Sequence, residues 1–76
     1  MKRMSYSLDS VGSNSDAEKI AIKLGFRGGI HQLKEEFIRP GDGSLYDLKY
    51  DKHSKELFLV RKDGAGQPIS TGLKMP

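Results

Sequence analysis

The apolar residues of the chain change their spacing at Arg39-Pro40, and this change restricts what its 76 residues can form. Before the proline, apolar residues recur every three or four positions, which is the spacing of a helix packed on a core. After it they recur at every second position, which is typical of a half-buried strand. The residue before a proline is pushed out of the helical region, so the helices end here. The sequence therefore predicts an α+β domain in which helices precede a sheet.

The first predicted helix runs from about Asp16 to Leu24. Ser15 and Glu18 have the spacing of a capping box, in which each side chain accepts a hydrogen bond from the backbone of the other residue. Gly25 stands where the left-handed residue that ends a helix belongs. We therefore expect the chain to turn sharply after Leu24 and to place the next aromatic side chain in the core.

A second helix and three strands complete the prediction. The helix follows the glycine pair 28–29 and runs from about residue 30 to residue 38. The strands are predicted at Tyr46–Tyr50, Leu57–Val60 and Ile69–Leu73, with the second in the centre. The predicted fold is thus two N-terminal helices packed on a small three-stranded antiparallel sheet. Eight residues are expected in its core: Ile20, Leu24, Phe26, Leu33, Phe37, Leu48, Phe58 and Val60.

Residues 1–14 are rich in Ser, Gly and Asp without lasting periodicity, and we interpret them as a flexible leader or linker before a single domain at residues 15–76.

The composition of the chain limits the function classes that it can belong to. The chain has no cysteine and two histidines, so we expect no disulfide, metal or cofactor. No apolar run approaches the roughly 18 residues of a membrane span, so we expect no membrane anchor. A net charge of +3 is compatible with a phosphate-bearing partner.

Acid–base groups are concentrated on the second predicted helix. His31, Lys34 and Glu35 are spaced so that they share one stripe of that helix. An imidazole changes charge near neutral pH, and a nearby ammonium and carboxylate would give a phosphate a cation and a second proton-transfer group. Asp47 would join them if its face of the first strand meets the helix. The alternative is that all four are ordinary solvated residues, and the sequence leaves both open.

Other residues suit phosphate binding. Arg27 precedes the glycine pair, whose backbone N–H groups near a helix N-terminus could hold an anion; simple turn geometry is the alternative. Cations and hydroxyl groups elsewhere on the predicted sheet offer further contacts, although each is equally compatible with a surface or edge-strand role. The candidate phosphate-binding residues are Arg27, Lys49, Arg61, Lys62, Ser70 and Thr71.

Four short segments carry a resemblance to a known family: Ala21 to Phe26, His31 to Lys34, Tyr46 to Leu48, and Gly64 to Leu73 with its Ser70-Thr71-Gly72. In this order they resemble the C-terminal toxin domains of bacterial polymorphic toxins, specifically polymorphic toxin type 33. The resemblance covers about residues 16–73. It departs from the family at the start, where a polar leader takes the place of a delivery protein.

The resemblance implies a toxin domain with a barnase-like layout that acts as a metal-independent ribonuclease on tRNA or rRNA of a competing bacterium. Such domains are secreted at the C-terminus of a larger Rhs or contact-dependent effector, act in the cytoplasm of the target cell, and are neutralised by a cognate immunity protein. On matching positions, the family pattern points to His31, Lys34 and Asp47, and further to Ser70 and Thr71. The alternative function is a small basic module that binds RNA or a protein without cleaving it.

Overall fold

The structure, a computed structural model, describes residues 8–76 and has seven elements in chain order. Two helices and a short 3-10 turn lie between the first and second strands. The elements are β1 (Leu8–Ser10), α1 (Asn14–Lys23), α2 (Ile30–Glu35), the 3-10 turn (Gly43–Leu45), β2 (Tyr46–Asp51), β3 (Glu56–Arg61) and β4 (Ile69–Lys74). The predicted α+β class is confirmed.

The sheet has four strands in the order β1-β2-β3-β4, and every neighbouring pair is antiparallel. The prediction of three strands is therefore wrong by one. The additional strand, Leu8–Ser10, lies within the stretch interpreted as a leader, and it pairs with the second half of β2. Three residues are too few to show a two-residue period, so its strand conformation depends on pairing with β2. Residues 1–7 of that stretch lie outside the described residues.

Helix α1 begins two residues earlier than predicted because a different serine caps it. The Ser13 hydroxyl accepts a hydrogen bond from the Asp16 backbone N–H, and the Asp16 carboxylate accepts one from the Ser13 N–H at 3.0 Å. The predicted capping box at Ser15 and Glu18 is wrong, because Ser15 lies inside the helix and Glu18 reaches a different element. The predicted helix end is confirmed, since Gly25 has a φ of 102°.

Helix α2 is shorter than predicted. Regular helix ends at Glu35. The N–H groups of Glu36 and Phe37 then donate to carbonyls three residues back, and the Ile38 N–H donates to the Lys34 carbonyl four residues back at 2.8 Å. The last predicted turn is therefore present, but its backbone hydrogen bonds span three residues in some places and four in others. No helix of the described part of the chain has the length and apolarity needed to cross a membrane.

The core lies between the two helices and one face of the sheet. Leu33 from α2 and both Leu57 and Leu59 from β3 have no solvent exposure. They pack with Leu48 of β2 and with Ile20 of α1. The prediction is thus confirmed for Ile20, Leu33 and Leu48. Three other predicted core residues are partly buried and pack against this cluster: Leu24, Phe26 and Phe37.

Two predicted core residues lie on the other face of the sheet. Phe58 pairs with Lys49, and because side chains alternate along a strand, both point away from the face that carries Leu57 and Leu59. Phe58 is buried there, and Val60 on the same face is half-buried. The predicted burial of Phe58 is confirmed, but both residues lie outside the cluster that contains Leu48, because the alternation separates the two faces.

Candidate functional site

A surface cleft of about 370 Å³ lies where α1, α2, the 3-10 turn and the end of β3 meet. Several of its side chains can carry charge or transfer a proton. Two cations and an imidazole face it from different elements. Its lining residues are Asn14, Glu18, Ile30, His31, Lys34, Gly43, Ser44 and Lys62. The cleft brings together three of the residues that the sequence singled out, since His31, Lys34 and Lys62 all contribute to it.

His31 lies at the start of α2 with its side chain 79% exposed. Its Nε2 atom lies 3.3 Å from Oε2 of Glu35, one turn further along the same helix. The four-residue spacing places the two side chains side by side, as the sequence predicted. This contact turns the Nε2 side of the imidazole ring toward the carboxylate. Glu35 does not line the cleft and can act there only through His31.

Lys34 bridges α2 and the sheet. Its ammonium donates a 2.7 Å hydrogen bond to the backbone carbonyl of Tyr46, the first residue of β2. Burial lowers the pKa of Lys34, the positive charge of Lys62 lowers it further, and the carboxylate of Asp47 acts in the opposite direction. The ammonium has three donors, so two remain for a bound anion. Its lowered pKa makes it a better proton donor than a solvated lysine.

Asp47 does not join His31. It is exposed, and it pairs with Val60, which places it on the sheet face opposite the helices. The alternation of β2 requires this, since Leu48 must point into the core. Asp47 therefore influences the cleft only through its charge near Lys34. The hypothesis that all four acid–base residues converge is wrong for this one.

The glycine turn before α2 has no free N–H group to hold an anion. The Gly28 N–H donates to Oε1 of Gln32 at 2.7 Å, and the Gly29 N–H donates to the Phe26 carbonyl at 2.9 Å. The next N–H, of Ile30, donates to Oε1 of Glu18 at 3.2 Å. The predicted anion site at this turn is wrong because acceptors of the protein itself already fill it. Arg27 beside it is exposed and does not line the cleft.

Arg61 has a partner of its own. Its guanidinium makes two hydrogen bonds to the Asp63 carboxylate, at 2.8 and 3.1 Å, and lies over the Tyr46 ring. The hydrogen bonds to Asp63 and then to Tyr46 raise the pKa of Arg61, and the pairing lowers the pKa of Asp63 to about 2. A phosphate would have to displace Asp63 to use this arginine. Lys62, the next residue, is exposed at the cleft and is better placed.

The remaining candidates lie away from the cleft. Lys49 is on the outer sheet face with Phe58. The Ser70 hydroxyl donates to the carboxylate of Glu56. Thr71 is buried, and its hydroxyl donates to the Leu57 carbonyl at 2.7 Å where the β3–β4 register is irregular. Its hydroxyl thus supplies a hydrogen bond within the sheet, which excludes phosphate binding in this arrangement.

Three polar residues of the cleft were missed by sequence reasoning: Asn14, Glu18 and Ser44. Glu18 was interpreted as part of a helix cap, and Asn14 as the end of the leader. The spacing of Asn14 and Glu18 in the sequence does not predict the cleft, because the cleft forms only when α2 packs beside the start of α1. Ser44 ends the turn Gly41-Asp42-Gly43-Ser44, and a serine at such a place is typical of any loop.

We compared the chain with protein-family models, curated proteins and solved structures. None of them matches.

The groups that line the cleft are of the kinds that can bind a phosphate ester. Two ammonium groups stabilise negative charge, an imidazole transfers a proton, and the Ser44 and Asn14 side chains offer hydrogen bonds. The cleft is open, and six of its eight lining residues have polar or charged side chains. Its volume of about 370 Å³ is at the lower end of the range for ligand sites.

Proposed function

We propose that this chain is an antibacterial toxin domain that acts as a metal-independent endoribonuclease in the cleft between α2 and the end of β3. The observation that carries the proposal is that His31, Lys34 and Lys62 line one cleft although they come from two different parts of the chain. An imidazole beside two cations supplies the proton transfer and the charge stabilisation that attack of RNA by its own 2′-hydroxyl group uses. No metal has a part in this reaction.

In the proposed mechanism His31 accepts the proton of the ribose 2′-hydroxyl. The 2′ oxygen then bonds to phosphorus, and the bond from phosphorus to the 5′ oxygen breaks. The products are a 2′,3′-cyclic phosphate and a 5′-hydroxyl group. The proton for the departing 5′ oxygen comes from Lys34, whose pKa is lowered by burial and then by Lys62.

Two further groups support this chemistry. Glu35 holds the His31 ring in one orientation, because its carboxylate lies 3.3 Å from Nε2. Lys62 holds a non-bridging phosphate oxygen as negative charge accumulates on phosphorus. Each lysine replaces a counterion of the RNA, so binding should weaken as salt rises.

The biological setting follows from the resemblance to polymorphic toxin type 33. The domain would be secreted at the C-terminus of a larger effector and act on tRNA or rRNA in the cytoplasm of a target cell. A cognate immunity protein would protect the producing cell by covering the cleft. We propose that this partner contacts the surface of Lys34 and Lys62, because both line the cleft whereas Lys49 and Arg61 do not.

Induced expression in a bacterium tests the proposal. Growth should stop, and tRNA or rRNA should appear as discrete fragments ending in a 2′,3′-cyclic phosphate. The purified protein should give the same fragments from total RNA in the presence of EDTA. Intact RNA in both assays, with a folded protein, would rule out the ribonuclease.

A second candidate is a non-catalytic module that binds RNA or an acidic protein. The observation that favours it is the position of Asp47 on the far face of the sheet. The carboxylate that does line the described cleft, Glu18, already accepts a hydrogen bond from the Ile30 N–H. The two functions differ in their response to His31→Ala. A ribonuclease loses cleavage and keeps binding, whereas a binding module has no cleavage to lose.

A further inference from the structure

Glu18 is half-buried, and its carboxylate lies between the two helices. Its Oε1 atom accepts the Ile30 N–H, the first backbone donor of α2, across twelve residues of sequence. Its other oxygen lies against Gly29, which is buried and has a φ of 78°. A Cβ atom at this position would overlap the carboxylate, so the turn depends on glycine both for its conformation and for this contact.

This contact supplies the cap that α2 lacks in its own sequence. The N-cap residue of α2 is Gly29, which has no side chain, and the first backbone donor would otherwise lack a partner in the turn. A negative charge at this end of a helix is also favourable electrostatically. His31 is the next residue after Ile30, so the bond fixes the end of α2 that carries the imidazole.

The other end of α2 has a separate attachment. Lys34 donates to the Tyr46 carbonyl and so holds the C-terminal half of the helix on β2. The two contacts position two different side chains of the cleft. The contact at Glu18 determines where His31 lies, and the contact at Tyr46 determines where the Lys34 ammonium lies.

We infer that Glu18 is the positioning residue of the cleft: it caps α2 from the neighbouring helix and thereby holds His31 in place, without transferring a proton itself. This inference rests on the proposed function for its catalytic consequence. Its structural part, that Glu18 controls the conformation around Ile30 and His31, stands independently of any reaction.

The experiment compares the parent protein with Glu18→Gln, Glu18→Ala and a control, Glu36→Ala. Gln keeps an oxygen acceptor in the same place without the charge. The control removes an exposed carboxylate from the other end of α2, so it has the same net charge as Glu18→Ala. Circular dichroism first establishes that all four proteins are folded, which we expect because Ile20 and Ala21 still fill the core.

Hydrogen exchange and NMR provide the readout that does not depend on activity. Glu18→Ala should increase the exchange rate of the Ile30 amide about tenfold or more, as expected for loss of a hydrogen bond to a charged acceptor. It should also shift the His31 imidazole resonances. Glu18→Gln should restore most of the protection, and Glu36→Ala should change neither. Unchanged Ile30 exchange in Glu18→Ala would overturn the inference whatever the activity.

Kinetics on RNA then separate positioning from direct catalysis. Glu18→Ala should lower kcat by about ten- to a hundredfold with little change in KM, because the histidine moves while Lys34 and Lys62 stay in place. Glu18→Gln should recover most of kcat. If Gln is as slow as Ala but protects Ile30 fully, the carboxylate acts directly and the positioning role is wrong. If the parent does not cleave RNA, the proposed function fails, and hydrogen exchange alone decides the role of Glu18.

Discussion

The ammonium of Lys34 lies 2.7 Å from the backbone carbonyl oxygen of Tyr46, and this bond joins α2 to the first residue of β2. The pairing of β1 with β2 covers Lys49 to Asp51, so Tyr46 lies outside it. One lysine thus satisfies a backbone acceptor of the sheet and directs its remaining donors into the cleft. Any substitution of Lys34 changes structure and ligand binding together, which makes Lys62 the better probe of binding alone.

The two cleft lysines should therefore differ in their effect on stability. Lys34→Met should destabilise the fold by about 1 kcal/mol, the usual net value of one hydrogen bond, whereas Lys62→Met should leave the free energy of unfolding nearly unchanged. Both should weaken RNA binding, and Lys62→Met should reduce the slope of log affinity against log salt by about 0.7–1. Urea unfolding and a salt titration of RNA binding measure the two effects. A stable Lys34→Met protein with parental RNA affinity would contradict this assignment.

His31→Ala should slow RNA cleavage by about 10²–10⁴-fold, the usual contribution of one acid–base group. Its melting temperature should barely change, because the side chain is 79% exposed. The matched control is His53→Ala, which removes the other histidine from an exposed turn between β2 and β3. Single-turnover assays on total bacterial RNA, with both variants beside the parent, give the comparison. Parental rates in folded His31→Ala would remove this residue from the mechanism.

Burial predicts opposite outcomes for two leucine substitutions. Leu33→Ala should cost about 2–5 kcal/mol, because the side chain has no solvent exposure and packs against both layers. A loss of this size is a large part of the total stability of a domain, so much of the protein should unfold. Leu45→Ala removes the same atoms from a residue that is 44% exposed, and it should be nearly neutral. Chemical denaturation of both variants tests the assignment, and equal losses would show that the core is placed wrongly.

Asp63 should make stability depend on pH in acid. Its pKa is lowered from 3.8 to about 2 by hydrogen bonds, first from Arg61 and then from the Ala65 N–H. A group with a depressed folded pKa stabilises the fold above its unfolded value and loses that contribution as pH falls through its folded value. As pH falls from 4 to 2, the melting temperature of the parent protein should therefore decrease more steeply than that of Asp63→Asn. Identical profiles for the two proteins would show that the Arg61 pair contributes nothing in solution.

A protein partner that neutralises the domain should be acidic where it covers Lys34 and Lys62. Its association rate should fall as ionic strength rises, because opposite charges steer the encounter. Charge reversal, Lys62→Glu, should slow association more than dissociation. Pull-down from a lysate of the source organism with the whole chain, followed by stopped-flow measurements at several salt concentrations, tests this prediction. A tight partner that leaves the cleft open to RNA would contradict it.

Much of the secondary structure followed from short-range spacing alone. Helical spacing placed α1, two-residue alternation placed β2, and Gly25 marked the end of a helix by its freedom to adopt a positive φ. The pairing of His31 with Glu35 also followed, since residues four apart on a helix are neighbours whatever the rest of the chain does. Each of these features depends on a few consecutive residues, which is why the sequence by itself determined them.

The tertiary structure decided how these elements meet. It placed Asp47 on the far face of the sheet because Leu48 fills the core, and it gave β1 a partner that its three residues could not indicate. It also brought Glu18 to the Ile30 N–H and Lys62 into the same cleft as Lys34. These contacts join residues twelve or more positions apart. They form only when the helices pack on the sheet, because burial of the shared apolar face fixes their relative positions.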